Sequence, residues 1–300
     1  MKIKKTWTDF ILVSWIVTYV LVILGQFLVL IPGIRDLFTY LLNNPVEWVQ
    51  TAGMYFQTAP GLVLSLIVMA VFKKNRPMLK TLTPHMKGNR IQYALLGLLG
   101  GFACNGICVL ISVLTGDIKF SFAGFELIPF LILFLSVLIQ SGSEEVICRG
   151  YLFQRIRRHY HHPAWAIVGN AALFGLLHVL NPDASVLGIT QVVEAGLLFS
   201  LMVYFLDSIW CAIGFHTAWN FTQSILFGLP NSGNVVPYSF FRLEAASARN
   251  GLFYNVGFGV EGSIGASLIL LLVIIALLVW GIQHKKKPTD VYIIVENEEE

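Results

Sequence analysis

The chain has 300 residues, of which 56% are hydrophobic and 12% charged, and its mean hydropathy is +0.72. A soluble domain carries about 25% charged residues, so this composition argues against an ordinary soluble domain and predicts an integral membrane protein. The net charge is only +3, and no glycine-rich phosphate loop or nucleic-acid-binding motif occurs, so no nucleic-acid partner is expected.

Apolar segments recur along the whole chain. A transmembrane helix needs about 20 mostly apolar residues. Eight segments meet or approach this requirement, so the sequence predicts an all-α, polytopic membrane protein with about eight transmembrane helices. The first is too long for the core of a signal peptide and is expected to be retained. The segments cover residues 10–32, 52–72, 91–115, 127–155, 163–181, 187–206, 209–228 and 263–283.

Lysine and arginine residues fall unevenly on the two sides of these spans. With the N-terminus inside, fifteen lie in inside segments, four lie in outside segments, and Arg149 lies within a span. Cytoplasmic loops are enriched in Lys and Arg, so both termini are expected to be cytoplasmic, in the plasma membrane of a bacterium. The inside residues are Lys2, Lys4, Lys5, Lys73, Lys74, Arg76, Lys80, Lys87, Arg90, Arg155, Arg157, Arg158, Lys285, Lys286 and Lys287; the outside residues are Arg35, Lys119, Arg242 and Arg249.

The spans fall into three regions. Residues 1–124 hold three spans and a basic loop, and residues 125–228 form a four-helix core. Residues 229–300 hold an outside loop (229–262), the last span and a tail that is first basic and then acidic. The tail is expected to anchor at the membrane surface and to end in a solvated segment, not to dock on the protein.

Ionisable side chains occur inside the core spans, where each costs on the order of 2.5–3.5 kcal/mol, so they are usually paired or functional. Glu145 and Arg149, four residues apart on one helix face, are expected to pair. Glu144 lies about 100° from Glu145 around the helix and is expected to point elsewhere. The polar core residues are Glu144, Glu145, Arg149, His178, Glu194, His216 and Asn220.

Helix rise places Glu144 and His178 at similar depths, about 21 and 22 Å from the inner boundary, so the antiparallel fourth and fifth spans are expected to bring them together. His216 and Asn220 lie one turn apart on one face of the seventh span. This set of groups suits hydrolysis by an activated water. Glu144 would take a proton from the water and His178 would help to hold it. His216 and Asn220 would donate hydrogen bonds to the oxyanion.

The same polar residues also have purely structural interpretations. A single intramembrane His is often an interhelical hydrogen-bonding residue, and one Glu–Arg pair is often structural. Glu194 with Gln191 is interpreted as an interior polar cluster, and the run His159–His162 as interfacial. The cysteines lie in apolar stretches, and Cys104 and Cys108, one turn apart, are interpreted as small interior residues. Polar groups on three spans at compatible depth favour a functional site.

Three short motifs carry a resemblance. "EEVICR" fits E-E-x-x-x-R (Glu144, Glu145, Arg149), "FGLLH" fits F-x-x-x-H (Phe174, His178), and "SIWCAIGFHTAWNF" contains H-x-x-x-N (His216, Asn220). Each motif alone is weak, but together and in this order they resemble the CAAX protease and bacteriocin-processing family of intramembrane proteases. This family is also called Abi, CPBP or type II CAAX prenyl endopeptidase-like. The matching region runs from about residue 125 to 225.

The resemblance implies a glutamate-dependent intramembrane endopeptidase. By the family's roles, Glu144 with His178 activates the water, and His216 with Asn220 stabilises the oxyanion. Glu145, Arg149 and Phe174 organise the site. No cofactor is expected; if the enzyme were metal-dependent, Glu144, His178 and His216 would ligate zinc, but Asn220 suits an oxyanion better than zinc.

The expected partners are the lipid bilayer and a membrane-embedded or lipidated peptide or protein substrate, while the oligomeric state stays open. Two other functions also stay open. One is a non-catalytic membrane scaffold or bacteriocin self-immunity protein with the same polar core. The other is a small transporter that relays protons through Glu144, Glu145 and Glu194, although no inverted repeat supports it.

Overall fold

The computed structural model describes residues 7–292, so Lys2, Lys4, Lys5 and the acidic end 296–300 lie outside the described residues. The described chain is mostly helical. Its α-helices are α1 Ile11–Phe27, α2 Ile34–Leu42, α3 Glu47–Phe56, α4 Ala59–Val71, α5 Ile91–Leu114, α6 Leu127–Glu145, α7 Phe153–His159, α8 Pro163–Leu176, α9 Val186–Phe205, α10 Ile209–Asn220 and α11 Ile264–Gln283.

Within the described residues, six helical segments are long and apolar enough to cross a membrane, which fits an integral membrane protein. They are Ile11–Leu30, Glu47–Val71, Ile91–Leu114, Leu127–His159, Val186–Phe205 and Ile264–Gln283. The expected number of about eight is not confirmed. The fifth and seventh predicted spans correspond to α8 and α10, which have 14 and 12 residues. At 1.5 Å per residue, each is about 20 Å long, shorter than the hydrocarbon layer.

The second predicted span is broken near its start. α3 ends at Phe56, and α4 begins at Ala59 with Pro60 in its first turn. Proline is tolerated at this position because the first-turn N–H groups have no partner within the helix. The break exposes Gln57 and Thr58 to the interior cavity described below.

Two short strands add to the predicted all-α fold. β1 Phe120–Phe122 pairs antiparallel with β2 Phe241–Leu243, and Ser121 lies opposite Arg242. This ribbon joins the loop before α6 to the loop after α10. Its phenylalanines contact one another, with Phe122 and Phe241 ring centres 5.2 Å apart. Three-residue strands are too short to leave a clear alternating pattern in a sequence.

Small residues bring α10 very close to α5. A Cβ atom added at Gly97 would overlap the carbonyl oxygen of Cys211, and one at Gly101 would overlap that of Phe215. From the other side, a Cβ at Gly214 would overlap the carbonyl oxygen of Ala94. Glycines four residues apart allow backbones to approach closely in apolar surroundings. This packing fixes the helix that carries His216 and Asn220.

Both described ends of the chain lie at one end of the bundle, here called the termini end. The Asp9 carboxylate is fully buried and lies 2.6 Å from the Arg158 Nη2 and 2.6 Å from the Lys74 Nζ. Near the other terminus, the Thr289 hydroxyl donates to the Asp207 carboxylate (2.6 Å). The termini end comprises residues 7–9, 73–90, 154–162, 206–208 and 284–292.

The C-terminal segment corrects the expectation of an undocked tail. The Tyr292 hydroxyl donates to the Gln154 carbonyl oxygen (3.0 Å), and the Val291 side chain is buried. Residues 289–292 are therefore packed on the protein. The expected solvated acidic end lies outside the described residues.

The opposite end of the bundle, here called the loop end, comprises residues 31–46, 115–126, 177–185 and 227–263. The long loop 229–262 folds onto the helices rather than extending away from them. Phe258 is fully buried against α9 at Gly188, and the Arg249 Nε donates to the Asp117 carboxylate (3.0 Å).

Candidate active site

The two helices α6 and α10, which carry predicted site residues, each change to π-helical geometry at their C-terminal ends. α6 ends at Glu145 and continues as a π-helical segment, Val146–Leu152, before α7 begins. α10 ends at Asn220 and continues as a second π-helical segment, Phe221–Leu226. π-helical turns are rare and occur frequently at functional sites. Each widened turn therefore follows directly on the predicted site residues.

Glu145 and Arg149 form the predicted ion pair. The Arg149 Nη1 lies 2.9 Å from the Glu145 Oε1, and both side chains are fully buried. The Arg149 Nη2 also donates to the Gly196 carbonyl oxygen of α9 (3.0 Å). The guanidinium lies over the rings of Phe174 (4.5 Å) and Phe199 (5.2 Å). Arg149 thus joins the π-helical segment to α8 and α9. The site-organising role of Phe174 stays a prediction.

His216 lies between the two adjacent acids. Its Nδ1 is 3.0 Å from the Glu145 Oε1, and its Nε2 is 3.8 Å from the Glu144 Oε2. Its ring stacks on Phe199, with ring centres 5.1 Å apart. Because the ionised Glu145 can only accept, the Nδ1 must donate to it. The His216 Nε2 is then the atom that is left for chemistry.

The two carboxylate oxygens of Glu144 differ in their contacts. The Gln140 amide donates to the Glu144 Oε1 (2.5 Å), and the Asn220 Nδ2 donates to the Gln140 Oε1 (3.1 Å). The Glu144 Oε2 is buried and has no hydrogen-bond partner among residues 7–292. Sequence reasoning missed Gln140, although an amide one turn before Glu144 in an apolar run was a usable signal.

His178 does not make the expected direct contact with Glu144 among the described residues. Its Nδ1 lies 2.7 Å from the Phe174 carbonyl oxygen, to which it donates, leaving its Nε2 as the free ring atom. The depth estimate assumed a helix that continued to residue 181. α8 ends at Leu176 instead, so His178 lies in the turn that follows.

A cavity of about 820 Å³ brings the four predicted catalytic residues, Glu144, His178, His216 and Asn220, to a common surface. Its wall also includes residues of α1, of the break between α3 and α4, and of the loop 229–262. The volume lies within the range of ligand pockets. Gln191 lines this cavity, whereas Glu194, its predicted partner in a polar cluster, does not.

Glu261 is a site residue that sequence reasoning missed. It lines the cavity, accepts from the Trp219 indole at Oε1 (3.0 Å) and accepts from the Ser232 backbone N–H at Oε2 (2.6 Å). Burial raises the pKa of the Glu261 carboxyl, and hydrogen bonds from Ser232 and the charge of His178 oppose this. Its position in an irregular loop, 41 residues after Asn220, gave no periodic signal.

A zinc site needs several ligand side chains that converge on one point. Within residues 7–292, no three His, Cys, Asp or Glu side chains form such a group. Glu144, His178 and His216, named above as candidate zinc ligands, are not brought together in this way.

One family model matches part of the chain. Residues 126–222 match the model of the family described as Rce1-like, type II CAAX prenyl endopeptidase Rce1-like. This segment is about a third of the chain, and the resemblance to CAAX proteases is confirmed over it. It contains all seven residues of the three motifs. No curated protein matches the chain.

Proposed function

We propose that this membrane protein, whose residues 126–222 match the Rce1-like CAAX endopeptidase family, is an intramembrane endopeptidase. It would hydrolyse a peptide bond of a membrane-associated or lipidated protein or peptide through a water activated by Glu144. The observation that carries the proposal is the unpartnered Glu144 Oε2, which faces the His216 Nε2 at 3.8 Å within the cavity. This separation is too long for a direct hydrogen bond, so both atoms are available to a water and a substrate.

The first step is attack by water. The Glu144 Oε2 accepts one proton of the water, and the water oxygen forms a bond to the carbonyl carbon of the substrate. The His178 ring donates from Nδ1 to the Phe174 carbonyl oxygen, and its Nε2 would help to hold the water.

The second step is collapse of the tetrahedral intermediate. In this proposal His216 acts as an imidazolium that donates from Nδ1 to Glu145 and from Nε2 to the oxyanion, and the Asn220 amide donates to the oxyanion after leaving Gln140. The C–N bond breaks, and the proton held by Glu144 passes to the leaving amine. Arg149 keeps its ion pair with Glu145 throughout.

The test is comparative proteomics of cells that carry the wild type or Glu144→Gln. Glutamine has the same shape and cannot take the proton, so we expect processing of at least one membrane peptide to fall about 10²–10⁴-fold. Glu126→Gln, an exposed acid at the start of α6, is the matched control and should process normally. Equal processing by Glu144→Gln and the wild type, with equal amounts of inserted protein, would refute the proposal.

The proposed location is the plasma membrane of a bacterium, with the termini end in the cytoplasm. The distribution of Lys and Arg supports this orientation, with twelve in the described segments of the termini end and four in those of the loop end. Contacts between Asp9 and Arg158, and between Thr289 and Asp207, place the two described ends of the chain together.

A further inference from the structure

The cavity lies in the half of the bundle that faces the loop end. Along α1 and the turn after it, only residues from Val22 to Leu30 line it, which is the half nearest the loop end. Along α9, which begins at the loop end, the lining residues are Gln191, Val192, Ala195 and Phe199, so none of the last six residues of the helix, 200–205, lines it. The Asn181 side chain, also in the wall, donates to the Ser232 carbonyl oxygen of the loop 229–262 (3.0 Å).

The mouth of the cavity is marked by the lining residues that are exposed. Among the described residues these are Gln26, Leu30 and Asn234, all at or near the loop end. The other lining residues are buried or partly buried. In contrast, none of the described residues of the termini end lines the cavity. The cavity therefore opens toward the loop end and not toward the termini end.

The two ends differ in charge. The segments of the loop end carry four Lys and Arg residues, against twelve in the described segments of the termini end. Two of the four are paired with acids: Arg242 lies 3.3 Å from Glu47, and Arg249 lies 3.0 Å from Asp117. Positively charged segments stay in the cytoplasm during insertion, which places the loop end outside.

We infer that the substrate enters from the extracytoplasmic side, as a peptide segment at or just outside the outer leaflet. This inference rests on the proposed function and names the substrate class of the same site. A tail of a cytoplasmic protein would meet the termini end instead, toward which the cavity does not open. The substrate is then the outer part of a membrane protein, or a peptide already carried across the membrane.

The charged side chains in the cavity wall further restrict which peptide segments can be substrates. Among the described residues, the wall contains the acids Glu144 and Glu261 and no Lys or Arg. A free C-terminal carboxylate has no Lys or Arg to pair with there, and burial of an unpaired charge is costly. The cut segment is therefore internal to its chain and neutral or basic near the cleaved bond.

A labelling experiment tests the side of the mouth without requiring catalysis. Asn234→Cys places a thiol at the mouth, and His161→Cys places one on the exposed surface of the termini end. A membrane-impermeant maleimide applied to intact cells should label Asn234→Cys at least ten times faster than His161→Cys, and permeabilisation should remove the difference. The unsubstituted chain, whose cysteines are buried or partly buried, gives the background. Val235→Cys, exposed beside the mouth, replaces Asn234→Cys if that variant does not fold.

Labelling of His161→Cys in intact cells, or protection of both mouth variants, would overturn the inference. The peptides lost in Glu144→Gln cells give a second test. We expect their cut sites to lie in extracytoplasmic segments without net negative charge. Cut sites in cytoplasmic segments would overturn the inference and leave the protease proposal standing. Unchanged peptides together with the expected labelling would overturn the protease proposal and leave the side of the mouth established.

Discussion

At the scale of single residues, the two adjacent acids differ in what surrounds them. Glu145 contacts Arg149 and His216 through Oε1. Both acids have an Oε2 without a hydrogen-bond partner among residues 7–292, but of the two only Glu144 lines the cavity. A buried charge that loses its partner is costly, so the Glu145–Arg149 pair is a point of structural sensitivity.

Replacement of Arg149 alone should destabilise the protein strongly. Arg149→Met leaves the fully buried Glu145 without its cation and the Gly196 carbonyl oxygen without its donor, and we expect a loss of about 3–5 kcal/mol in the free energy of unfolding. The double variant Glu145→Gln with Arg149→Met buries no net charge at this pair and should recover part of the loss. Denaturant unfolding of purified protein in detergent measures both. A double variant less stable than Arg149→Met would contradict the prediction.

Glu261 makes stability depend on pH in a defined direction. Its pKa is raised above the ordinary value of 4.5, mainly by burial. The folded state therefore binds a proton more tightly than the unfolded state, and stability falls as the pH rises through the raised pKa. Glu261→Gln should remove this loss, so its stability relative to the wild type should increase with pH. Thermal unfolding across pH 4 to 8 tests this, and a difference that is constant with pH would contradict it.

At the scale of helices, close backbone contact positions the site. α10 carries His216 and Asn220, and it is held against α5 by glycines whose replacement would put a Cβ atom into a carbonyl oxygen. The helix is short and its apolar residues are not confined to one face, so its rotation is set by this contact and not by an amphipathic pattern.

Gly97→Ala should therefore disturb the site from a distance. The added methyl group would overlap the Cys211 carbonyl oxygen, and overpacking of this kind typically costs about 1–3 kcal/mol. Gly106→Ala is the matched control on the same helix, because no atom lies within 4 Å of the added Cβ. That control should keep or slightly raise stability, since Ala favours helix over Gly. Equal thermal stability of the two variants would show that the contact is not tight.

Particular residues show how far the sequence could predict the site. The Glu145–Arg149 pair followed from helical periodicity, and the structure confirms it. The expected contact of Glu144 with His178 was wrong because α8 ends early and because His216, on a helix distant in sequence, comes nearer. Glu261 and the two π-helical segments leave no local pattern, since each depends on contacts between distant parts of the chain.

At the scale of the whole molecule, a buried cluster of charges around Asp9 holds together separate segments of the termini end. Burial alone would raise the pKa of Asp9, but hydrogen bonds from Arg158 and Lys74 and their positive charges outweigh it, and the pKa is below its ordinary value. The cluster connects the N-terminal segment to the basic loop and to α7.

The stabilisation from Asp9 should be present at neutral pH and lost in acid. A lowered folded-state pKa means that the contribution is complete above the unfolded value, about 4, and disappears as the pH falls through the folded value. Asp9→Asn should lower the melting temperature at pH 7 and have little further effect at the acid limit. Melting temperatures between pH 3 and 7 check this, with Asp36→Asn, an exposed acid, as the control. Parallel curves for Asp9→Asn and the wild type would contradict it.

The packed C-terminal segment also bears on biosynthesis. Thr289 contacts Asp207, made 82 residues earlier, and Tyr292 contacts Gln154, made 138 residues earlier. Translation adds about 5–20 residues per second, so Asp207 and Gln154 lack these contacts for on the order of ten seconds after they are made. During that interval α7 is already inserted but lacks its contact with Tyr292. A ribosome that stalls within the last span therefore leaves a bundle whose termini end is still open to proteases and chaperones.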